Sequence, residues 1–150
     1  DIFINKMNKA LPEDMKISKV AYSNKEESLM ALSEWSEFIL NLEVEEEIEE
    51  DKIKEIANDI LNKGRTIKRI RKKKKKIIER EINTKDLIKF INIKRINDNR
   101  ICIETILRTS SSGSLKTKEL VDILKDSGLE IDYYKVIRND ILDKNNKPLI

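Results

Sequence analysis

Residues 100–127 read RICIETILRTSSSGSLKTKELVDILKDS, and the change of period inside this stretch decides the fold. From Arg100 to Arg108 apolar and polar residues alternate: Ile101, Ile103, Thr105 and Leu107 share one face and Cys102, Glu104, Ile106 and Arg108 the other, which predicts a half-buried strand. After the turn, Leu115, Leu120, Val121, Ile123 and Leu124 gather on one side of a helix whose opposite side is charged, and Gly128 supplies a C-cap. Between them, Ser110, Ser111, Ser112, Gly113 and Ser114 form a small-residue turn flanked by Arg108 and Lys116. Hydroxyls and free N–H groups at a helix N-terminus favour an anion, so these seven residues are the candidate anion-binding site. The competing account makes Ser114 an N-cap, Gly113 a turn residue and the other serines solvated loop.

Composition narrows the functional classes. A chain of 150 residues has the size of one domain, or of one small domain and part of another. Its 31 basic and 28 acidic residues nearly cancel, so the net charge of +3 announces no partner and any electrostatic function must lie in the distribution. The 23 lysines against 8 arginines, and 25 isoleucines against 4 valines, match AT-rich codon usage better than selection for a binding surface, which discounts arguments built on lysine alone. One cysteine and no histidine rule out an internal disulfide and leave too few soft ligands for zinc or an iron–sulfur cluster, so no cofactor is expected. The absence of a long apolar run or a signal peptide leads to the expectation of a soluble cytoplasmic protein.

Outward from the organising stretch, Phe3, Met7, Ala10 and Leu11 recur at helical spacing up to Pro12, and residues 15–22 read as a strand. One helix and one strand cannot bury both faces alone, so residues 1–27 are expected to complete another domain, with an α+β domain over 28–150. Trp35 precedes a strand carrying Phe38, Leu40, Leu42 and Val44, and is expected in a core or subdomain contact more than in base stacking. The seven acids between Glu43 and Asp51 read as a solvated turn. Ile53, Ile56, Ala57, Ile60 and Leu61 then define a helix, with Asp51 as N-cap and Gly64 as C-cap.

Two strands, 66–71 and 77–83, flank Lys72-Lys73-Lys74-Lys75-Lys76. With Arg65, Lys68, Arg69 and Arg71 they place nine basic side chains on a hairpin, a candidate nucleic-acid-binding element working through phosphates. The alternative is a ribbon whose lysines block edge pairing, and no aromatic residue interleaves the run to stack on bases. Residues 84–91 read as a short helix with Leu87, Ile88 and Ile91 inward, 93–96 as a strand paired through Asn97-Asp98-Asn99 with the organising strand, and 129–138 as a last strand. The order predicts an α+β fold, an antiparallel sheet with two main helices on one face, ferredoxin-like with an added β-hairpin.

Several separated motifs carry a family resemblance: Asn8-Lys9-Ala10-Leu11-Pro12, Ser28-Leu29-Met30-Ala31-Leu32, Leu107-Arg108-Thr109, Ser111-Ser112-Gly113 with Leu115-Lys116, and Asp132-Tyr133 with Arg138 and Leu142-Asp143. In this order they resemble the radical-SAM-linked bacterial proteins, a domain of unknown function fused or adjacent to radical S-adenosylmethionine proteins. The resemblance implies a radical S-adenosylmethionine protein as partner and an absent amino-terminal part. Where the family tends to an aspartate-isoleucine-arginine-proline run, this chain has Asn83-Thr84-Lys85-Asp86. The chain is not itself the radical enzyme, whose cluster needs three thiolates where only Cys102 is present. The leading expectation is a non-catalytic accessory module that holds a polyanion, RNA first, for that partner. The alternatives are a protein-interaction or regulatory subunit and, with no histidine or paired catalytic carboxylates, least of all an enzyme on a small phosphorylated ligand.

Overall fold

In the computed structural model, which describes residues 2–20, 22, 27–73 and 76–149 without the side chains of Lys72, Lys73, Arg95 and Ile96, the chain opens with helix α1 (Ile2–Ala10). Pro12 follows it, leading into one 3-10 turn at Glu13–Met15. The expected strand over 15–22 does not form among the described residues. The amide of Asn8 takes both backbone groups of Ile17, accepting its N–H at 2.7 Å and donating to its carbonyl at 2.9 Å, so that residue's ladder bonds are already spent. No residue of α1 is buried, and Phe3 is 58% exposed. A one-turn helix α2 (Leu29–Leu32) is capped by the Ser28 hydroxyl, which accepts the Ala31 N–H at 3.2 Å.

The remaining elements are β1 (Trp35–Val44), α3 (Glu50–Lys63), β2 (Thr66–Lys73), β3 (Lys76–Asn83), β4 (Ile88–Asn97), β5 (Arg100–Ser110), β6 (Gly113–Ser114), α4 (Thr117–Asp126) and β7 (Ile131–Leu142). The main sheet runs β4-β5-β1-β7, antiparallel throughout, with Leu40 opposite Ile103 on one side and Val136 on the other. The unit β1-α3-β4 straddles β5, and β5-α4-β7 straddles β1, the doubled split β-α-β connectivity of a ferredoxin-like fold. Alternation on β5 sends Ile101, Ile103, Thr105 and Leu107 inward, and they meet Leu40, Leu42 and Val44 of β1, Ile53, Ala57 and Ile60 of α3, and Leu120, Val121, Ile123 and Leu124 of α4. Both helices therefore cover one face. The other carries half-exposed or exposed Phe90, Ile106, Ile137 and Tyr133.

Three boundaries differ from the sequence expectation for local reasons. α3 begins at Glu50, with Glu49 in the N-cap position and Asp51 inside the first turn, where its charge still favours the helix dipole. α4 begins at Thr117 and not near Leu115, because the Leu115 N–H is held by the Arg108 carbonyl at 2.9 Å as the turn leaves β5. Residues 84–91 are not helical: a turn at 85–87 leads directly into β4. A register shift between Ile88 and Phe90 makes Ile88 and Ile91 oppose Leu107 and Thr105, two residues of the inner face of β5. The bulge thereby buries both Ile88 and Ile91 and, with Leu87 buried in the preceding turn, produces a spacing that imitates a helix.

The β2–β3 hairpin is a separate two-stranded sheet inserted between α3 and β4. Its two ends are clasped: the Thr84 N–H donates to the Arg65 carbonyl and the Arg65 N–H to the Thr84 hydroxyl, both at 2.9 Å, with Thr84 fully buried.

Candidate anion and nucleic-acid interface

The serine turn is a β-hairpin of its own, with Ser110 opposite Gly113 and Thr109 opposite Ser114. The Ser110 hydroxyl lies 2.9 Å from that of Ser112 and donates to the Gly113 carbonyl at 3.3 Å, so the turn is held partly by itself. Arg108 reaches Ser112 Oγ at 3.1 Å and Glu34 Oε1 at 2.5 Å, and its guanidinium lies 5.9 Å from the centre of the Trp35 ring. Lys89 stands over the same ring at 5.0 Å. Glu104 takes Lys94 instead, at 3.0 Å. Trp35 thus serves as a platform for two cations at the end of the sheet, a contact that needs the ring face and not its N–H.

The start of α4 already holds a carboxylate. Glu119 Oε2 accepts the Lys116 N–H at 2.8 Å, the carboxylate half of a capping box whose other half a lysine N-cap cannot supply, and both its oxygens accept from Arg69 at 2.6 Å. Arg69 also donates to the Ser114 carbonyl at 2.6 Å. Burial pushes the Glu119 pKa up, but the Arg69 bond, the Lys116 N–H and the two positive charges outweigh it and hold the carboxyl below its ordinary value. Of the candidate anion residues, Arg108, Ser110, Ser112 and Gly113 thus meet through hydrogen bonds, whereas among the described residues no such bond joins the side chains of Ser111, Ser114 or Lys116 to them, and Glu34 and Glu119 already face Arg108 and the Lys116 N–H.

Cross-strand register sorts the hairpin's charge. Arg69 pairs with Arg80 and Arg71 with Ile78, which puts Arg69, Arg71, Lys76 and Arg80 on one face with no acid among them. The opposite face carries Lys68, Ile70, Ile77, Glu79 and Glu81, and Lys68 meets Glu81 at 3.6 Å. At the foot, Arg65 binds Asp59 at 2.6 Å and the Gly64 carbonyl at 2.8 Å, tying the end of α3. Lys63 first, then Arg65, lower the Asp59 pKa through these bonds. Of the nine predicted basic residues, Arg65, Lys68 and Arg69 are therefore engaged internally, while Arg71 and Lys76 have no partner among the described residues. Lys74 and Lys75 lie outside the described residues, as do the side chains of Lys72 and Lys73. Arg80, absent from the sequence-based set, joins the basic face because antiparallel pairing sets it opposite Arg69. Strand alternation counted back from the turn was the signal that could have found it.

Among the described residues no group of three or more histidine, cysteine or acidic side chains is placed to hold a metal ion, and no helix is long and apolar enough to cross a membrane.

No curated protein matches the chain. Among solved structures, a chain in the crystal structure of a Cbf5-Nop10-Gar1 complex is similar at 13% identity and a TM-score of 0.49, over 75% of this chain and 32% of that one. The present chain thus spans about a third of that chain's length. A family profile covers residues 1–117, more than three quarters of the sequence, and by it the chain belongs to the family described as an uncharacterized protein conserved in bacteria (DUF2344).

Proposed function

We propose that the protein is a non-catalytic accessory module that binds a polyanionic substrate, RNA, for a radical S-adenosylmethionine partner enzyme. The observation that carries the RNA part is the sorted hairpin: Arg71, Lys76 and Arg80 project from a face to which the hairpin contributes no acid of its own, and none of the three is paired among the described residues. A purely protective ribbon has no need to place all its acids on one face. Phosphates spaced along a strand would meet these cations and the run Lys72–Lys76, while the Ser110–Ser114 turn, with Arg108 and Lys116 at its flanks, supplies a second contact beside Arg69. The partner enters through the motifs Leu107-Arg108-Thr109 and Ser111-Ser112-Gly113 and their family resemblance. Residues 1–27 are proposed to lie outside the 28–150 unit, in keeping with the exposure of Phe3 and Met7.

The test is binding of a fluorescent single-stranded RNA at several salt concentrations. Affinity should fall linearly in log–log form with salt, by a slope of roughly 0.7 per phosphate contact. Changing Lys72–Lys76 to serine should flatten that slope, and an unchanged slope would remove the hairpin from the interface.

A second function is favoured by a different surface. The sheet face away from the helices exposes Phe90 on one edge strand and Ile137 and Tyr133 on the other at 37%, 42% and 58%, separate apolar groups that a protein partner of a regulatory subunit would cover. Cross-linking at Tyr133 that captures the partner enzyme without RNA would support it.

A further inference from the structure

An open groove of about 770 Å³ lies behind the serine turn, on the side away from Arg108. One wall is apolar, made by Leu29, Met30 and Ala31 of α2 with Ile141 and Leu149. The floor is lined by Ser33, Ser36, Thr109, Ser110, Ser111 and Ser114. Ser36 and Thr109 bond each other at 2.9 Å, whereas the hydroxyls of Ser33, Ser111 and Ser114 have no partner among the described residues. Arg138 and Asp140 of β7 complete the rim. Arg138 has no partner among the described residues; one oxygen of Asp140 accepts the Ile141 N–H at 2.8 Å, leaving the other open.

We infer that this groove binds a nucleoside monophosphate, free or as the phosphorylated end of an RNA strand. The volume falls in the range of about 300–1,000 Å³ usual for small-ligand clefts with an apolar lining and few polar groups. Each class of group has a counterpart on such a ligand. Arg138 and the hydroxyls of Ser111 and Ser114 meet the phosphate by charge-assisted and neutral hydrogen bonds. The base lies against Met30 and Leu149. An acyl chain fits the apolar wall but would strip water from Ser33, Ser111 and Ser114 without replacing it, a cost a nucleotide avoids.

The inference rests on the RNA-binding proposal in one respect. Ser114 is shared: its residue lines the groove and its carbonyl accepts Arg69 of the hairpin, so the basic face and the groove adjoin. A strand lying along the one can end in the other.

Uridine and adenosine 5′-monophosphate, hexyl phosphate and a 5′-phosphorylated hexanucleotide are titrated into the full chain, with backbone amide shifts of Ser111, Ser114 and Arg138 as readout. The nucleotides should move those amides, hexyl phosphate should bind at least about tenfold more weakly, and Arg138→Gln should weaken the nucleotides by roughly tenfold or more. Met30→Glu, at a position 86% exposed and so of little folding cost, should weaken the nucleotides by up to about fivefold by replacing the apolar surface beside the base with a charge. The hexanucleotide arm distinguishes a strand end from a free nucleotide: tighter binding than its unphosphorylated form, lost in Arg138→Gln, assigns the strand end. No shift with any nucleotide, or equal binding of hexyl phosphate, or indifference to both substitutions, overturns the groove. RNA bound through the Lys72–Lys76 run with nucleotides unbound overturns the groove alone. Nucleotides bound by a protein that ignores longer RNA overturn the hairpin proposal alone.

Discussion

Arg69 on β2 and Glu119 in the first turn of α4, fifty residues apart, form a two-bond fork at 2.6 Å that fastens the inserted hairpin to the main domain. The same carboxylate caps α4 through the Lys116 N–H, so one residue serves the helix start and the hairpin foot.

Replacing Arg69 with alanine should therefore lower stability by roughly 1.5–3 kcal/mol, the worth of hydrogen bonds to a charged partner, read as a shift in the urea midpoint. Because the folded state depresses the Glu119 pKa from its ordinary 4.5, its contribution is present above that value and is lost as pH falls through the lower folded one. Unfolding titrations should show this acid loss in the wild type and a shallower one in Arg69→Ala.

Glu34 competes with any anion for Arg108. Glu34→Gln removes the charge and should strengthen binding of a polyanion at the serine turn by up to about fivefold, the value of a partly exposed ion pair. If affinity is unchanged while thermal stability drops, Arg108 serves only to anchor β5 against Trp35.

Charge sorting on the hairpin predicts an asymmetry between its faces. Arg71→Ser with Arg80→Ser should lower the salt slope of RNA binding by roughly 1.4, that is 0.7 for each phosphate no longer neutralised. Lys68→Ser, on the mixed face and paired with Glu81, should leave it almost unaltered. Equal effects would mean a diffuse charge cloud with no preferred face.

Gly64 stands at φ 68° and ψ −172°, backbone that only glycine adopts with ease. A Cβ there would also lie 2.7 Å from Asn83 Oδ1 and 2.9 Å from the Lys85 backbone nitrogen. Gly64→Ala should cost roughly 1–3 kcal/mol from the backbone alone. Gly128→Ala, at φ 101° but with nothing within 4 Å, should cost on the order of 1 kcal/mol. Differential scanning calorimetry of the two variants separates steric crowding from conformation.

Elements whose apolar spacing reports a single face were readable from the chain alone. The inward set on β5 and the buried stripe of α4 are those the periodicity predicts, and from two helices and paired strands in that order the ferredoxin-like sheet follows. Leu87, Ile88 and Ile91 misled because a bulge at Lys89 lets a strand bury neighbours in a helix-like rhythm, and nothing local marks a bulge that its partner strand imposes. The serine turn and basic ribbon were visible as composition. Their counterions were not: Glu34 lies 74 residues from Arg108, and Glu119 fifty from Arg69, distances only the topology closes.

The buried clasp between Arg65 and Thr84 means that the eighteen residues of 66–83 leave and rejoin the domain at a single point. Beyond the foot, which Arg69 fastens to α4 and Ile67 and Ile82 pack against the core, such a segment is an appendage in the sense of modular architecture, free to lengthen, shorten or be exchanged without moving any strand of the main sheet. Its strands pair only with each other through nearby sequence, so it can zip up on its own timescale, independently of the slower closure of β1 between β5 and β7. Grafting the outer part of a relative's ribbon from the Ile70–Glu79 pair onward, with Arg69 kept, would then exchange recognition while leaving the scaffold that presents it intact.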